Sequence, residues 1–145
     1  MKTDVLHGAV RGVVGAMSMT GARHLTADLG LVRATPPEMI AKHSRGLRRI
    51  PKSRRQAVVV ALHWSVGAQG GAIYGLLPQS LRKTRWAGPL WGVVIFAVFD
   101  AALRPLLGIK KGDWPNARER AALIGDHLLY GLVLSERAGE SGGAG

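Results

Sequence analysis

Seven of the ionisable side chains inside the long apolar stretches of this 145-residue chain could do chemistry, because charged groups there are costly unless they find partners. They are Arg23, His24, His63, Asp100, Arg104, Asp126 and His127. Each lies a few residues from one end of its stretch, at a similar depth, so we expect them to meet in one polar layer. In that layer Asp100 and Arg104, four residues apart, are spaced to pair on one helix face, and Arg23 and Asp126 balance each other in charge.

Two chemical roles are open for this polar layer. The first is a charge-neutral hydrogen-bond network that fixes the order of the helices. The second is a proton or ion relay built on the three histidines, because the ordinary pKa of histidine lies near physiological pH. A third use of membrane histidines is to hold a b-type haem through two axial imidazoles. His63 and His127 lie at similar depth in equivalent helices, and this placement restricts haem binding rather than supports it.

Other reactive groups are missing from the sequence. The chain has no cysteine, which excludes disulfides, thiolate metal sites and a thiol nucleophile. It also lacks the H-E-x-x-H zinc motif and the G-x-x-x-x-G-K phosphate loop. We therefore expect no catalytic residue, no metal site, no cofactor and no enzymatic activity.

The elements that must position the polar layer are four apolar stretches, at residues 5–31, 57–78, 86–108 and 117–135. Hydrophobic residues make up 47% of the chain although its formal net charge is +11. The apolar and basic residues are segregated into separate blocks, which is typical of a membrane protein. Residues 57–78 contain no Lys, Arg, Asp or Glu and, at about 1.5 Å per residue, can cross a hydrocarbon core of about 30 Å.

These stretches predict an all-α fold, a four-helix transmembrane bundle. Residues 1–136 are expected to form a single membrane-embedded domain whose N-terminal segment is retained, and residues 137–145 a flexible tail. The first stretch is the weakest span because charged residues interrupt it, whereas Trp86 and Trp91 suit an interfacial aromatic belt at the start of the third. The alternative is a soluble helical bundle with unusually apolar helices.

Glycines recur at four-residue spacing in the second stretch. His63, Gly67, Gly71 and Gly75 therefore line one helix face, and Gly131 continues a weaker version of the pattern in the fourth stretch. In lipid no hydrophobic force draws helices together, so small residues that allow close backbone approach favour association. We predict that Gly67, Gly71, Gly75 and Gly131 pack helices together; the alternative is room for a flat cofactor or a file of water.

An internal repeat indicates two tandem helical hairpins running in the same direction. The triplet at residues 12–14, Gly-Val-Val, recurs at residues 92–94, and an H-x-x-x-G pair occurs at residues 63–67 and 127–131. Parallel repeats of this kind are a known organisation of membrane folds. The second unit lacks most of the basic loop found in the first.

That basic loop, residues 33–55, carries eight Lys or Arg against one acid. A capping box at residues 35–38 predicts a short amphipathic surface helix, whose wetter side presents cations to anionic lipid headgroups. Those cations are Lys42, Arg45, Arg48 and Arg49. A solvated loop that only fixes orientation is the equal alternative. We expect no nucleic-acid partner because no base-stacking aromatic is interleaved.

The distribution of charge predicts the orientation. With four spans, the loops on one side carry twelve Lys or Arg and those on the other side six. The positive-inside rule then places the basic loops in the cytoplasm and both termini outside it, in a multi-pass protein of the cytoplasmic (inner) membrane. If the first stretch does not cross, the N-terminus is inside. Partners beyond lipid would be a second copy or another membrane protein.

The motifs GVVGAMSMTGARHLTADLG, TPPE, HWSVGAQGGAIYG and DHLLYG, spread over residues 8–135, resemble small four-helix bacterial inner-membrane proteins of the YagU-like kind, common in actinobacteria. Residues 127–131 and 71–75 match the H-x-x-Y-G or G-x-x-Y-G endings of such chains, whereas His63 is not followed by the tyrosine. The resemblance implies four spans and brings no established activity. The function expected is an integral membrane protein of structural, interaction or stress-related role; the alternative is a small channel or proton-coupled carrier.

Overall fold

The computed structural model describes residues 2–30, 44–106 and 116–135, and every regular element in these ranges is helical. The elements are α1 (Lys2–Asp28), α2 (Arg45–Arg48), α3 (Lys52–Leu76), α4 (Gln79–Arg82), α5 (Ala87–Val98), a π-helical segment (Phe99–Leu103), α6 (Arg104–Leu106) and α7 (Ala117–Leu134). The predicted all-α class is therefore confirmed. Each of the four predicted stretches contains a long helix, with ends that differ by a few residues.

Local sequence explains where the helices begin and end. The Asn116 side chain accepts a hydrogen bond from the Glu119 backbone N–H, and the Glu119 carboxylate accepts one from the Asn116 N–H, both at 3.0 Å. This capping box starts α7. At the end of α1, Gly30 takes a positive φ of 69°, which glycine adopts without steric cost, and so turns the chain out of the helix.

The third predicted stretch is not one uniform helix. Its α-helix ends at Val98, and a π-helical segment follows that ends at Leu103, two residues before Pro105. A proline lacks the N–H that would bond the carbonyl four residues back, and its ring crowds that carbonyl. The regular ladder therefore cannot continue through this point, and the helix widens.

The long helices pack as two antiparallel pairs joined along one edge. α1 packs against α3, α5 packs against α7, and α1 also packs against α7. The direction is visible in the glycines of α3, because Gly75 lies beside Asp4 near the start of α1 and Gly67 lies beside Ala16 further along it. The carboxyl ends of α1 and α5 therefore lie at the same end as the amino ends of α3 and α7. We call this the basic end.

Many large hydrophobic side chains lie on the outside of the bundle. Within the described residues, nine hydrophobic side chains are buried, whereas eighteen large hydrophobic side chains are exposed. Glycines and an Arg–Asp pair occupy positions between the helices. Of the helices that the structure describes, none is both long and apolar enough to qualify as a membrane span. The transmembrane character of the bundle stays a prediction.

Candidate functional site

The contact between α1 and α3 is made by backbone against backbone. A Cβ atom added to Gly71 would lie 2.8 Å from Gly12 Cα, and one added to Gly75 would lie 3.0 Å from Val5 Cα. One added to Gly67 would meet the Ala16 side chain at 2.6 Å. A side chain at any of these positions would meet α1 and force the two helices apart, so α1 and α3 approach each other at these glycines.

The second pair, α5 with α7, uses the same device in a different register. A Cβ atom on Gly131 would lie 2.8 Å from Pro89 Cα, and one on Gly92 would lie 2.8 Å from the His127 carbonyl carbon. In the first pair Gly12 faces Gly67. In the proposed repeat Gly92 corresponds to Gly12 and Gly131 corresponds to Gly67, so Gly92 should face Gly131. It faces His127 instead, so the second pair is shifted by about one helical turn.

Tyr130 joins the two pairs at the centre of the bundle. Its hydroxyl donates a 2.6 Å hydrogen bond to the Gly67 carbonyl oxygen, and its ring lies against the backbone of Gly15. A Cβ atom on Gly70 would lie 2.9 Å from the same hydroxyl oxygen. Glycines on α1 and α3 therefore make the space in which this α7 side chain is buried.

Trp91 also lies between the pairs, which corrects its assignment to an interfacial belt. Its indole N–H donates a 3.0 Å hydrogen bond to the Gly70 carbonyl oxygen, and its ring lies 6.2 Å from that of Tyr74. Trp86 is exposed, with the Arg85 guanidinium 5.7 Å from its ring centroid. A belt position for Trp86 stays a prediction.

The expected pairing of Arg23 with Asp126 is present. The guanidinium of Arg23 on α1 donates to the Asp126 carboxylate on α7 at 3.4 Å, and both side chains are more than nine-tenths buried. This ion pair crosses the α1–α7 contact that holds the two helix pairs together. Because a buried charge is costly without its partner, the pair constrains how the two helix pairs assemble.

Two histidines lie beside this ion pair. Arg23 acts electrostatically on both His63 and His127, and His127 also acts on His63. The Nδ1 atom of His127 lies 2.8 Å from the Leu123 carbonyl oxygen, which only accepts, so Nδ1 carries a hydrogen. The buried Nε2 atom of His63 has no hydrogen-bond partner. We call these four side chains the inner cluster: Arg23, His63, Asp126 and His127.

Two other expected members of the polar layer, His24 and Asp100, have surroundings of their own. His24 is exposed. Asp100, in the π-helical segment, pairs with Arg120 at the start of α7 at 3.2 Å, and one of its carboxylate oxygens is buried without a hydrogen bond. The pairing predicted with Arg104 cannot be followed, because that side chain lies outside the described residues. The layer expected from the sequence thus divides into an inner cluster and an Asp100–Arg120 pair.

Only part of the predicted lipid-contact set can be located. Arg48, the last residue of α2, and Arg49, which follows it, are exposed. Lys42, the capping box predicted at residues 35–38 and the Arg45 side chain lie outside the described residues. The described part contains a single helical turn, α2, capped by Ser44. Hydrophobic side chains of this turn and of α3 pack together beneath it: Leu47, Ile50, Val58 and Val59. The turn is thereby anchored to the basic end of the bundle.

Sequence reasoning missed a second buried arginine, Arg82, at the opposite end. Its guanidinium lies 3.3 Å from the Asp4 carboxylate and donates to the Leu77 carbonyl oxygen at 3.0 Å, while its own carbonyl accepts from the Tyr74 hydroxyl at 3.3 Å. It ties the α3–α4 turn to the start of α1. No sequence signal separates it from Lys83 and Arg85, which follow the same turn and are exposed.

Comparison of the chain with protein-family models, with curated proteins and with solved structures gives no match. The resemblance to small bacterial inner-membrane proteins therefore stays an expectation. Within the described ranges, no group of three or more His, Asp or Glu side chains is arranged to hold a metal ion.

Proposed function

We propose that this chain is an integral protein of the cytoplasmic membrane, a glycine-packed four-helix bundle with a structural or interaction role and no catalytic activity. The observation that carries this proposal is the number of large apolar side chains on the outside of the bundle. Large apolar side chains face outward on every long helix, for example Leu6, Val66, Val94 and Leu132. A soluble monomer rarely exposes large apolar side chains along all of its long helices.

The packing between helices supports the same proposal. In water, helices associate by burying large apolar side chains, whereas in lipid they associate by close contact and by polar groups between them. Here the α1–α3 and α5–α7 contacts are made by glycine backbone, and the α1–α7 contact contains the Arg23–Asp126 pair. Both features suit a bundle whose outer solvent is apolar.

The charge distribution suits an oriented bundle with its basic end in the cytoplasm. Described residues 44–56 carry six Arg or Lys and no acid. They include the first turn of α3, where the helix dipole disfavours cations. Anionic headgroups would offset that cost, which is the proposed reason for exposed Arg48 and Arg49 at this end.

Lysine substitutions on the outward faces test whether lipid surrounds the bundle. Val14→Lys and Val94→Lys are each expected to lower membrane insertion by about 3 kcal/mol, because a lysine near the centre of a span must leave water. Gln56→Lys adds the same charge in the first turns of α3 and should have little effect. The measurement is the fraction of protein that stays in the membrane pellet after alkaline carbonate extraction.

In water all three lysine substitutions would change the stability of the bundle very little, since each replaces an exposed side chain. Equal behaviour of the three variants, together with protein that stays in solution without detergent, would therefore reject the membrane proposal.

A second candidate function is a proton relay, and one observation favours it. The buried His63 Nε2 atom, which has no hydrogen-bond partner, lies in the inner cluster with a second histidine. The charged and titratable groups that act on it are Arg23 from α1, which is paired with Asp126, and His127 from α7. A histidine nitrogen without a fixed partner is able to exchange a proton with water or with a neighbouring side chain.

Proton flux into liposomes separates the two functions. If the inner cluster is a relay, vesicles containing the protein should dissipate a pH gradient faster than empty vesicles, and His63→Ala should remove the difference. His24→Ala is the matched control, because His24 is exposed on α1 and lies outside the inner cluster. Flux equal to that of empty vesicles would reject the relay and leave the structural role.

A further inference from the structure

We infer that the outer face of the α5–α7 pair fits a hydrocarbon layer of about 20 Å, so that the bilayer narrows beside this pair. The inference rests on the proposed membrane location and names the lipid that suits this surface, one with short acyl chains. The face is apolar along both helices. Its exposed large side chains are Leu90, Val94 and Val98 on α5 and Leu128 and Leu132 on α7.

Charged side chains limit this apolar face. Along α5 and the π-helical segment no charged residue lies between Arg85 and Asp100, and at about 1.5 Å per residue this stretch covers at most about 21 Å. Along α7 the stretch from Arg120 to the helix end at Leu134 covers about the same length, and its one acid, Asp126, is buried. A typical hydrocarbon core is about 30 Å thick, so the face is short by about 10 Å.

The Asp100–Arg120 pair cannot extend out of a thicker layer. The Arg120 guanidinium lies 3.2 Å from the Asp100 carboxylate, and the Arg120 side chain is 45% exposed. A lone arginine can extend along its long side chain to the headgroups, but here the ion pair holds it level with Asp100, whose side chain is short. Because exposed charge is costly in hydrocarbon, headgroups and water are expected to come to the pair.

Trp86 and Arg85 mark the opposite edge of the same face. Trp86 is the N-cap residue of α5 and is exposed, and the Arg85 guanidinium lies 5.7 Å from its ring centroid. An exposed indole with a cation beside it suits the headgroup level, where one side is apolar and the other is wet. Both edges of the face therefore present groups that phosphates and water can satisfy.

α3, in the other helix pair, has no such limit. Residues 57–76 contain no Lys, Arg, Asp or Glu and cover about 30 Å. Exposed large apolar side chains occur along α3 from Leu62 to Leu76. A bilayer of ordinary thickness suits this helix, so the thinning is expected beside α5 and α7 and not around the whole bundle.

Fluorescent labels on the two helix pairs test the inference, because the native chain contains no cysteine that would also react. Leu132→Cys and Val66→Cys are matched, since both native side chains are 59% exposed. Each labelled full-length protein is reconstituted in mixtures of phosphatidylcholines with fourteen-, eighteen- or twenty-two-carbon monounsaturated chains, one of which is brominated. Quenching by the brominated chains gives the relative affinity of each lipid for the labelled side.

The two labels should report different lipids. At Leu132→Cys the fourteen-carbon lipid should be favoured over the twenty-two-carbon lipid by roughly threefold or more, because the longer chains must be compressed there. At Val66→Cys the eighteen-carbon lipid should be favoured. This comparison leaves the Asp100–Arg120 pair intact.

Removing the charges at one edge tests the cause of the preference. Asp100→Leu with Arg120→Leu, added to Leu132→Cys, should remove most of the preference for short chains. Asp28→Leu with Arg49→Leu is the matched control, because it also removes one acid and one base, both exposed but outside α5 and α7. This control should keep the preference.

Three results would each overturn the inference: equal lipid preference at the two labels, a preference for longer chains at Leu132→Cys, or a preference that survives the loss of the Asp100–Arg120 pair. If that double variant loses its helical circular dichroism, the comparison of the two labels still decides. Protein that does not enter the vesicles, so that neither label is quenched, would instead count against the proposed function.

Discussion

Gly71→Leu is expected to prevent α1 from packing against α3. Gly71 faces the Gly8 carbonyl oxygen, and even a Cβ atom would lie 2.8 Å from Gly12 Cα. These neighbours are backbone atoms of a continuous helix, which cannot rotate away as a side chain can. Overpacking ordinarily costs up to about 3 kcal/mol, and the cost here should reach or exceed that value because the two helices must separate.

Gly125→Leu is the matched control for this substitution. A Cβ atom on Gly125 would meet no atom within 4 Å, so leucine there has open space. Replacing a helical glycine should stabilise α7 by roughly 0.5–1 kcal/mol through helix propensity alone. Unfolding in detergent, followed by circular dichroism, should therefore give shifts of opposite sign for the two variants. Wild-type stability of Gly71→Leu would show that the helix pair does not depend on glycine contact.

Asp126→Leu is expected to destabilise the bundle by about 3–5 kcal/mol. The variant removes the carboxylate that lies 3.4 Å from the Arg23 guanidinium, while the arginine side chain stays buried at the α1–α7 contact. Removing one partner of a buried ion pair costs more than the pair contributes, because the remaining charge keeps its desolvation penalty.

The double variant Arg23→Met with Asp126→Leu separates charge from packing. Replacing both partners by apolar residues of similar volume should recover most of the lost stability, since no buried charge remains. The measurement is the same detergent unfolding, completed as a double-mutant cycle with Arg23→Met. A double variant as unstable as the sum of the single variants would show that Arg23 and Asp126 act independently.

Much of the architecture could be predicted because it depends on local sequence. The four helices follow from the length of the apolar stretches, and the start of α7 follows from Asn116 and Glu119. The glycines at four-residue spacing indicated the packed face of α3 before any neighbour was known. The partnership of Arg23 and Asp126 followed from charge balance at similar depth.

The inaccurate predictions concern residues whose partners are distant in the chain. Trp91 looked like a belt residue from its place at the start of a stretch, but it fills space above Gly70 on another helix. Arg82, which the sequence does not distinguish from Lys83 and Arg85, is buried beside Asp4. Asp100 pairs with Arg120, 20 residues further along the chain, whereas its pairing with Arg104 stays a prediction.

The sequence by itself determined which segments are helical, which face of α3 is thin enough for close contact, and which end of the bundle is basic. The tertiary structure alone decided the register of the two helix pairs and the membership of the inner cluster. The physical reason is that helix formation and periodicity depend on neighbouring residues, whereas register depends on the simultaneous fit of several faces. When one helix slides by one turn along its partner, each glycine meets another small residue of the partner. The four-residue spacing alone therefore cannot choose between registers.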